Sequence, residues 1–339
     1  MKKFFRALLL TLLVIVLILL ALVLSLRFSR NADKTEQAER LIRFLEQGTA
    51  AVSIPDAQLD DALPVNHLRY LATHNSYHHQ AGPLQLALIE LFKPGEAEKF
   101  RYSHLDFYRQ LDIGVRSFEL DLRYYRNGNF ENIHIPLVDN RGHSPSFTGA
   151  LEELKLWSDR HPQHVPVIIM MQTKDDWMFL DPTLKKWEAG ALVSIDTLIS
   201  GALQDRLITP DDITDGWPML GDSRGKFIFV FHESEQECFN DAYSGHEGRV
   251  SFFMDESDSD ETGFVLRNDP NAEDIAELIQ NGFIVRTRAD AGLDYSAEQR
   301  RKAISSGAQI VSTDYPLGYS SNPGEYSLGW SELISRYIY

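Results

Sequence analysis

The sequence predicts an α/β protein, a closed (β/α)8 barrel of the TIM type reached through an N-terminal transmembrane helix and a short linker helix. Three observations carry this reading. From Pro64 onward, short apolar strand patterns alternate with helical patterns, about eight times over, which argues for βα units and a parallel sheet. The length remaining after Pro64 suits one barrel of about 250 residues. Polar and charged residues gather where the apolar runs stop, and barrels place their chemistry at that end of their strands. An open doubly wound sheet is the alternative, but no glycine-rich dinucleotide loop follows the first strand.

The first element is the N-terminus. Met1 to Arg6 is basic, and Ala7 to Leu26 is an uncharged run dominated by Leu, Val and Ile. At about 1.5 Å per residue it reaches across the roughly 30 Å core of a bilayer. A cleaved secretory signal is the plainer reading, but its apolar part is typically about 7–15 residues. This run is longer, ends at Arg27 and lacks a small-x-small cleavage site, so an uncleaved membrane anchor is expected within residues 1–30. The basic tip then stays in the cytoplasm and the body lies on the extracytoplasmic side of the cytoplasmic membrane. Residues 31–63 form a polar linker in which Leu41, Ile42, Phe44 and Leu45 mark a short amphipathic helix over Ala38–Gln47, expected to pack on the body. Asp56 to Pro64 is an acidic, linker-like stretch, and the barrel domain occupies 64–339.

Within the barrel, strands are expected at Leu68–Ala72, Val115–Leu122, Asn132–Ile135, Val165–Gln172, Lys226–His232, Ser251–Asp255 or Gly263–Arg267, Phe283–Asp290 and Gln309–Thr313. Helices are expected at Ser103–Asp112, Phe147–Arg160, Ser194–Ala202, Ala272–Asn281 and Ser296–Ser306. In the second strand Glu119 and Asp121 fall at i and i+2, on one face of the pleat, while Phe118, Leu120 and Leu122 take the other. Paired inward carboxylates are costly unless they are ion-paired or bind metal, and a divalent cation is the economical explanation.

Composition bounds the partners. The chain has 339 residues, 43% hydrophobic and 24% charged, as a globular protein with a sizeable core should. A formal net charge of −16 argues against nucleic acid and against loose adhesion to anionic lipid, though a locally positive site can still take an anion. A single cysteine, Cys238, excludes an intramolecular disulfide. Oligomeric state leaves no signal in the sequence.

Reading off the strand ends gives His74 and Asn75, Glu119 and Asp121, His134, Gln172, His232, Arg286 with Arg288 and Asp290, then Thr313 with Asp314. Any one strand-end histidine is more often a surface or satisfied core residue than a catalyst. Together they make a denser polar set than a purely structural barrel needs. Arg286, Arg288 and Asp290 alternate along one strand, where an arginine could grip a phosphate or an internal ion-pair layer could form. Lys174 is a further cation for a phosphate.

These residues resemble a known family. Thr73-His74-Asn75-Ser76-Tyr77, Gly114 to Asp121 and a lone histidine after the next strand are similar to the catalytic half of phosphoinositide-specific phospholipases C, above all the bacterial calcium-dependent branch. The resemblance continues through Phe147-Thr148, Trp157-Ser158-Asp159, His161-Pro162, Val285 to Ala291 and Ser306 to Pro316. It covers most of residues 66–320, in order.

The resemblance implies a phosphodiesterase barrel that cleaves a phospholipid head group, or a small phosphodiester, with Ca2+. Asn75, Glu119 and Asp121 match its metal ligands, and His74 and His134 its two catalytic histidines. After the fourth strand the family usually offers another carboxylate, whereas this chain has Gln172, with Asp175 as a nearby substitute; magnesium is therefore the alternative metal. His143, in the loop beyond His134, competes for the second histidine role. Two other function classes stay open. One is a related barrel acting on glycerophosphodiesters or, like sphingomyelinase D, on sphingolipids, although Asn75-Ser76 replaces the Arg-Gly of the former and the cysteines of the latter are missing. The other is a catalytically inactive, membrane-tethered binding module. Fold alone does not separate them.

Overall fold

The computed structural model describes residues 2–48, 54–232, 237–242, 248–255, 263–317 and 326–334. One helix, α1, runs unbroken from Lys2 to Glu46. The strands follow as β1 (Tyr70–Thr73), β2 (Val115–Tyr124), β3 (Phe130–Asn132), β4 (Val167–Thr173), β5 (Phe227–Phe231), β6 (Phe252–Asp255), β7 (Phe264–Leu266), β8 (Ile284–Arg288) and β9 (Ile310–Thr313). Eight of them pair in parallel as β1-β2-β4-β5-β6-β7-β8-β9, and β9 returns to β1, which closes the barrel.

The eight barrel strands are not quite the expected eight. The segment expected at Asn132–Ile135 is instead the short β3, antiparallel to the far end of β2. Asn127-Gly128 explains the difference: Gly128 has φ of +87° and its amide closes a turn on the Tyr125 carbonyl at 2.9 Å. Such a hairpin returns the chain antiparallel, since a parallel neighbour needs a long crossover. The two segments treated as alternatives, around 251–255 and 263–267, are both barrel strands.

Alternation then sorts each strand. Phe118, Leu120 and Leu122 of β2 join Val167, Ile169 and Met171 of β4 in an outer core. Over them lie α4 (Phe147–Arg160) and α5 (Ala189–Leu203), with α2 (Pro83–Phe92) and α3 (Phe107–Asp112) earlier in the chain. The inward residues form a second core, apolar at the bottom, with Tyr70, Ala72, Ile168, Met170, Val230, Phe252 and Ile310. Above this floor the inward positions turn polar. Helix α4 matches its expected ends residue for residue, because Ser146 caps it by accepting the Gly149 amide.

The linker reading needs two corrections. The expected short helix is the end of α1, and its docked face is a stripe of Leu26, Arg30, Asp33, Gln37 and Arg40, three to four residues apart as one helix face requires, with Leu41 beside Arg40. Ile42 and Leu45 stay exposed, while Phe44 stacks on Tyr108 at 4.0 Å. The stripe is largely polar, with Arg40 on Glu153 and Asp33 on Arg141. Likewise Asp56 is fully buried, bonded to Arg116 at 2.5 and 3.0 Å, and Asp61 pairs with Arg224 at 2.7 Å. The acidic stretch is a strap across the barrel bottom.

Candidate active site

The turn after β1 is stitched to β2. Ser76 donates its amide to the Glu119 carbonyl and accepts the Glu119 amide on its hydroxyl, both at 2.8 Å. Asn75 takes a left-handed conformation, φ +45°, which asparagine tolerates better than most residues. This turn fixes His74 and Asn75 beside the inward carboxylates.

His74 places Nδ1 2.9 Å from Asp314 Oδ1, at the end of β9, and Nε2 3.9 Å from Glu119 Oε1. Burial, reinforced by Arg288, holds its pKa well below the ordinary histidine value. In the neutral ring, Nδ1–H donates to Asp314 and Nε2 is left as an acceptor. Glu119 accepts from Arg286 at 2.6 Å. Burial would raise its pKa, but Arg286, with His74 and His232, brings it down to about 2. Asp121 accepts from the Tyr77 hydroxyl at 2.9 Å, and its other oxygen lies 3.4 Å from Lys174 Nζ. Burial pushes this carboxyl up, yet Lys174, His134 and His74 hold it below the usual range.

His134 lies on the turn after β3 and bonds Asp139 through Nδ1 at 2.9 Å. Asp139 is buried and also takes His78 Nε2 at 2.9 Å; despite burial, His78 and His134 keep its carboxyl ionised. His143 goes elsewhere. It stacks on His79 at 4.8 Å, its carbonyl accepts from Arg40 of α1, and burial brings its pKa down to about 3.

The cations divide by depth. Arg286 is buried and donates to Glu119, Asn268 and Ser312. Arg288 reaches Asp290 at 3.3 Å and Asp314 at 3.0 Å while keeping some exposure, as does Lys174. The ion-pair layer weighed from the sequence thus exists. It runs from Glu119 to Asp314, which itself holds His74.

Gln172 faces Asp121 in the β2–β4 register. Among the described residues no three His, Cys, Asp or Glu side chains converge as a metal cluster. The set is two carboxylates, Glu119 and Asp121, with the amides Asn75 and Gln172. Asp121 Oδ1 is buried without a hydrogen bond, a hard oxygen whose neighbour is the Lys174 charge. An all-oxygen set with such an atom fits a hard divalent cation.

A profile of the family described as phosphoinositide phospholipase C, Ca2+-dependent, matches residues 63–132 and 123–335. The chain belongs to this family. Its fold is similar to that of a calcium-dependent phosphoinositol-specific phospholipase C from a Gram-negative Pseudomonas species, with 16% identity, 77% of this chain and 95% of that chain covered, and a TM-score of 0.54. It is also similar to a calcium-dependent phosphatidylinositol-specific phospholipase C from Streptomyces antibioticus, with 17% identity, 74% and 95% covered, and a TM-score of 0.51. No curated protein sequence matches. As a member of the calcium-dependent phospholipase C family the chain has the hydrolase barrel, and α1 and all but the end of the strap precede the matched span.

Sequence reasoning assigned no role to the carboxylates behind the two histidines. Asp139 follows His134 by five positions in Val138-Asp139-Asn140, a spacing that a hairpin return could have flagged. Asp314 was visible as a strand-end group, but its contact with His74 spans the whole barrel sequence. Tyr77 and Tyr102, which bond Asp121 and Asn75, are indistinguishable from packing aromatics in the sequence.

Proposed function

We propose that the chain is a membrane-tethered phospholipase C-like enzyme that cleaves the phosphodiester of a phospholipid head group, with His74 and His134 as its proton-transfer pair. The observation that supports this is the matched backing of the two imidazoles. Each gives Nδ1 to a carboxylate, Asp314 or Asp139, and each retains an Nε2 for chemistry. A carboxylate at Nδ1 fixes the tautomer and steadies the charge the ring takes up.

In this reading a head-group hydroxyl next to the phosphate attacks phosphorus. Neutral His74 takes its proton on Nε2, and Asp314 steadies the imidazolium. His134 gives a proton to the departing lipid alcohol as the phosphorus–oxygen bond breaks, leaving a cyclic phosphate and a neutral alcohol. Arg288 and Lys174 lie at the depth to meet the phosphate, while Arg286 holds Glu119 in place. Asn75, Glu119, Asp121 and Gln172 would hold Ca2+, or Mg2+, which supplies charge neutralisation and lowers the pKa of a bound hydroxyl. The apolar half of α1 serves as the anchor, with the barrel on the extracytoplasmic side.

The test is turnover by the full-length protein in detergent on a panel of phosphodiesters, with and without calcium. Phosphatidylinositol should be cleaved with calcium, and His74→Ala and His134→Ala should each lose about 10²–10⁴-fold. The double variant should be little worse than the poorer single, as for groups acting as a unit, and His143→Ala should be mild. Dispensability of both His74 and His134 would sink the mechanism; cleavage confined to glycerophosphodiesters or sphingolipids would move the substrate.

A further inference from the structure

The N-terminal helix reaches the second histidine through one side chain. Arg30, on the docked half of α1, is buried. Its Nη1 donates to the Asn140 carbonyl at 3.0 Å, and its Nη2 to the Asn132 and Pro145 carbonyls, both at 3.0 Å, and to Glu131 Oε2 at 3.2 Å. Asn132 and Asn140 flank the turn that begins at Ile133 and ends at Asp139. That turn carries His134 and the carboxylate that holds it. One guanidinium therefore ties both ends of the turn together.

The rest of α1 extends the grip along the returning arm. Asp33 accepts from Arg141 Nε and Nη2, both at 2.7 Å, and from the Gly142 amide at 3.3 Å, and Arg40 donates to the His143 carbonyl at 2.5 Å. From the barrel side, Arg123 holds the turn by the Ile133 and His134 carbonyls. The turn is thus clamped between a barrel arginine and a helix arginine. A non-glycine residue in the left-handed region, Leu137 at φ +63°, sits at its tip, and such a backbone persists only where its surroundings enforce it.

We infer that Arg30 is a positioning residue for His134, and that α1 is part of the active-site scaffold as well as an anchor. This rests on the catalytic reading of His134 given above. Arginine suits the task because its planar fork serves several carbonyls at once, which a lysine ammonium does less well. A misplacement of about 1 Å at a reacting group can cost on the order of 10²-fold in rate.

The test uses the full-length protein in detergent micelles and the variants Arg30→Met and Arg30→Lys. Lys34 still pairs with Glu131 at 2.5 Å, so neither variant strands that carboxylate, and Arg30→Lys keeps the charge should the methionine form fold poorly. In Arg30→Met, amide exchange over residues 133–142 should quicken at least about tenfold while β4 and β5 stay protected. The Nδ1–H resonance that His134 shares with Asp139 should broaden or move. With phosphatidylinositol in mixed micelles, kcat should fall about 10- to 100-fold with KM within about twofold, and Arg30→Lys should lie between. Unchanged exchange and an unchanged His134 resonance in Arg30→Met overturn the inference. So does a loosened turn with normal kcat in a protein that His134→Ala inactivates. Normal turnover in His134→Ala overturns instead the catalytic reading on which the inference rests.

Discussion

A buried histidine and a buried carboxylate illustrate how much a single ionisable group depends on its surroundings. His164 is enclosed by Trp157 and Phe227, with Nδ1 at the Val165 carbonyl and Nε2 at the Ser158 hydroxyl. Burial brings its pKa down to about 3. The unfolded chain, with an imidazole near 6.5, takes up the proton first as pH falls. Stability from this group is complete above about 6.5 and declines between there and about 3, by on the order of 5 kcal/mol. Denaturant unfolding between pH 7 and 4 should show this fall, and His164→Gln should flatten it while lowering stability at pH 7. An equally steep slope in the variant would assign the effect to other groups, His104 first among them. Glu119 makes the second case. If Asn75, Glu119 and Asp121 take calcium, the ion adds stability only to the native state. Glu119→Gln should then melt as a folded protein but lose the calcium-dependent rise in Tm, and an undiminished rise would place the metal elsewhere.

At the scale of elements, charge does more of the packing than the hydrophobic pattern suggests. Asp56 meets Arg116 under the barrel, and the guanidinium lies 4.9 Å over the Trp157 ring. Removing one partner of a buried pair leaves the other uncompensated, typically at about 3–5 kcal/mol. Asp56→Ala should therefore cost about that much in denaturant unfolding, far more than an exposed aspartate such as Asp60; a cost under about 1 kcal/mol would mean the strap is loosely held. This element also marks where the sequence stopped being legible. Periodicity found most of the barrel strands and the ends of α4, since apolar alternation and a serine cap are local signals, but it took the β3 hairpin arm for one. It read 56–63 as linker and, of the α1 contact, found Leu41 and Phe44 but not Arg30, Asp33 or Arg40, because a buried charge looks like a solvated one until its partner is known. Arg116 is sixty residues from Asp56 and Glu153 more than a hundred from Arg40. The two candidate histidines, His74 and His134, were visible as strand ends and motif positions, but Asp139 and Asp314, which bond them, belong to tertiary structure.

For the whole molecule, the anchor reading predicts behaviour on fractionation. Leu8, Leu12, Leu17 and Leu20 are among the exposed apolar residues of the first half of α1, and no barrel surface covers them. The full-length protein should remain with membranes through a high-salt wash and leave only with detergent. A soluble mature form lacking residues 1–26 would instead identify a cleaved signal. A chain begun at Pro64 should prove a poor surrogate for either, since it lacks Arg30, Arg40 and Asp56; retention of full stability by that fragment would count against the strap and the helix alike.

The unbroken course of α1 has a mechanical meaning. Its 45 residues make a rod about 68 Å long at 1.5 Å per residue, with no hinge between the exposed apolar half and the half clamped to the barrel. Near its middle, Arg27 lies 3.6 Å from Asp181, on the loop that follows β4 at the mouth of the barrel. With the apolar half in a bilayer, the mouth keeps a fixed height and bearing over the leaflet. On the proposed reading, such an enzyme would not search by swinging on a leash; it would wait for lateral diffusion to deliver lipid to it. Its rate should then follow the surface density of substrate in its own membrane and respond little to the same lipid offered on separate vesicles.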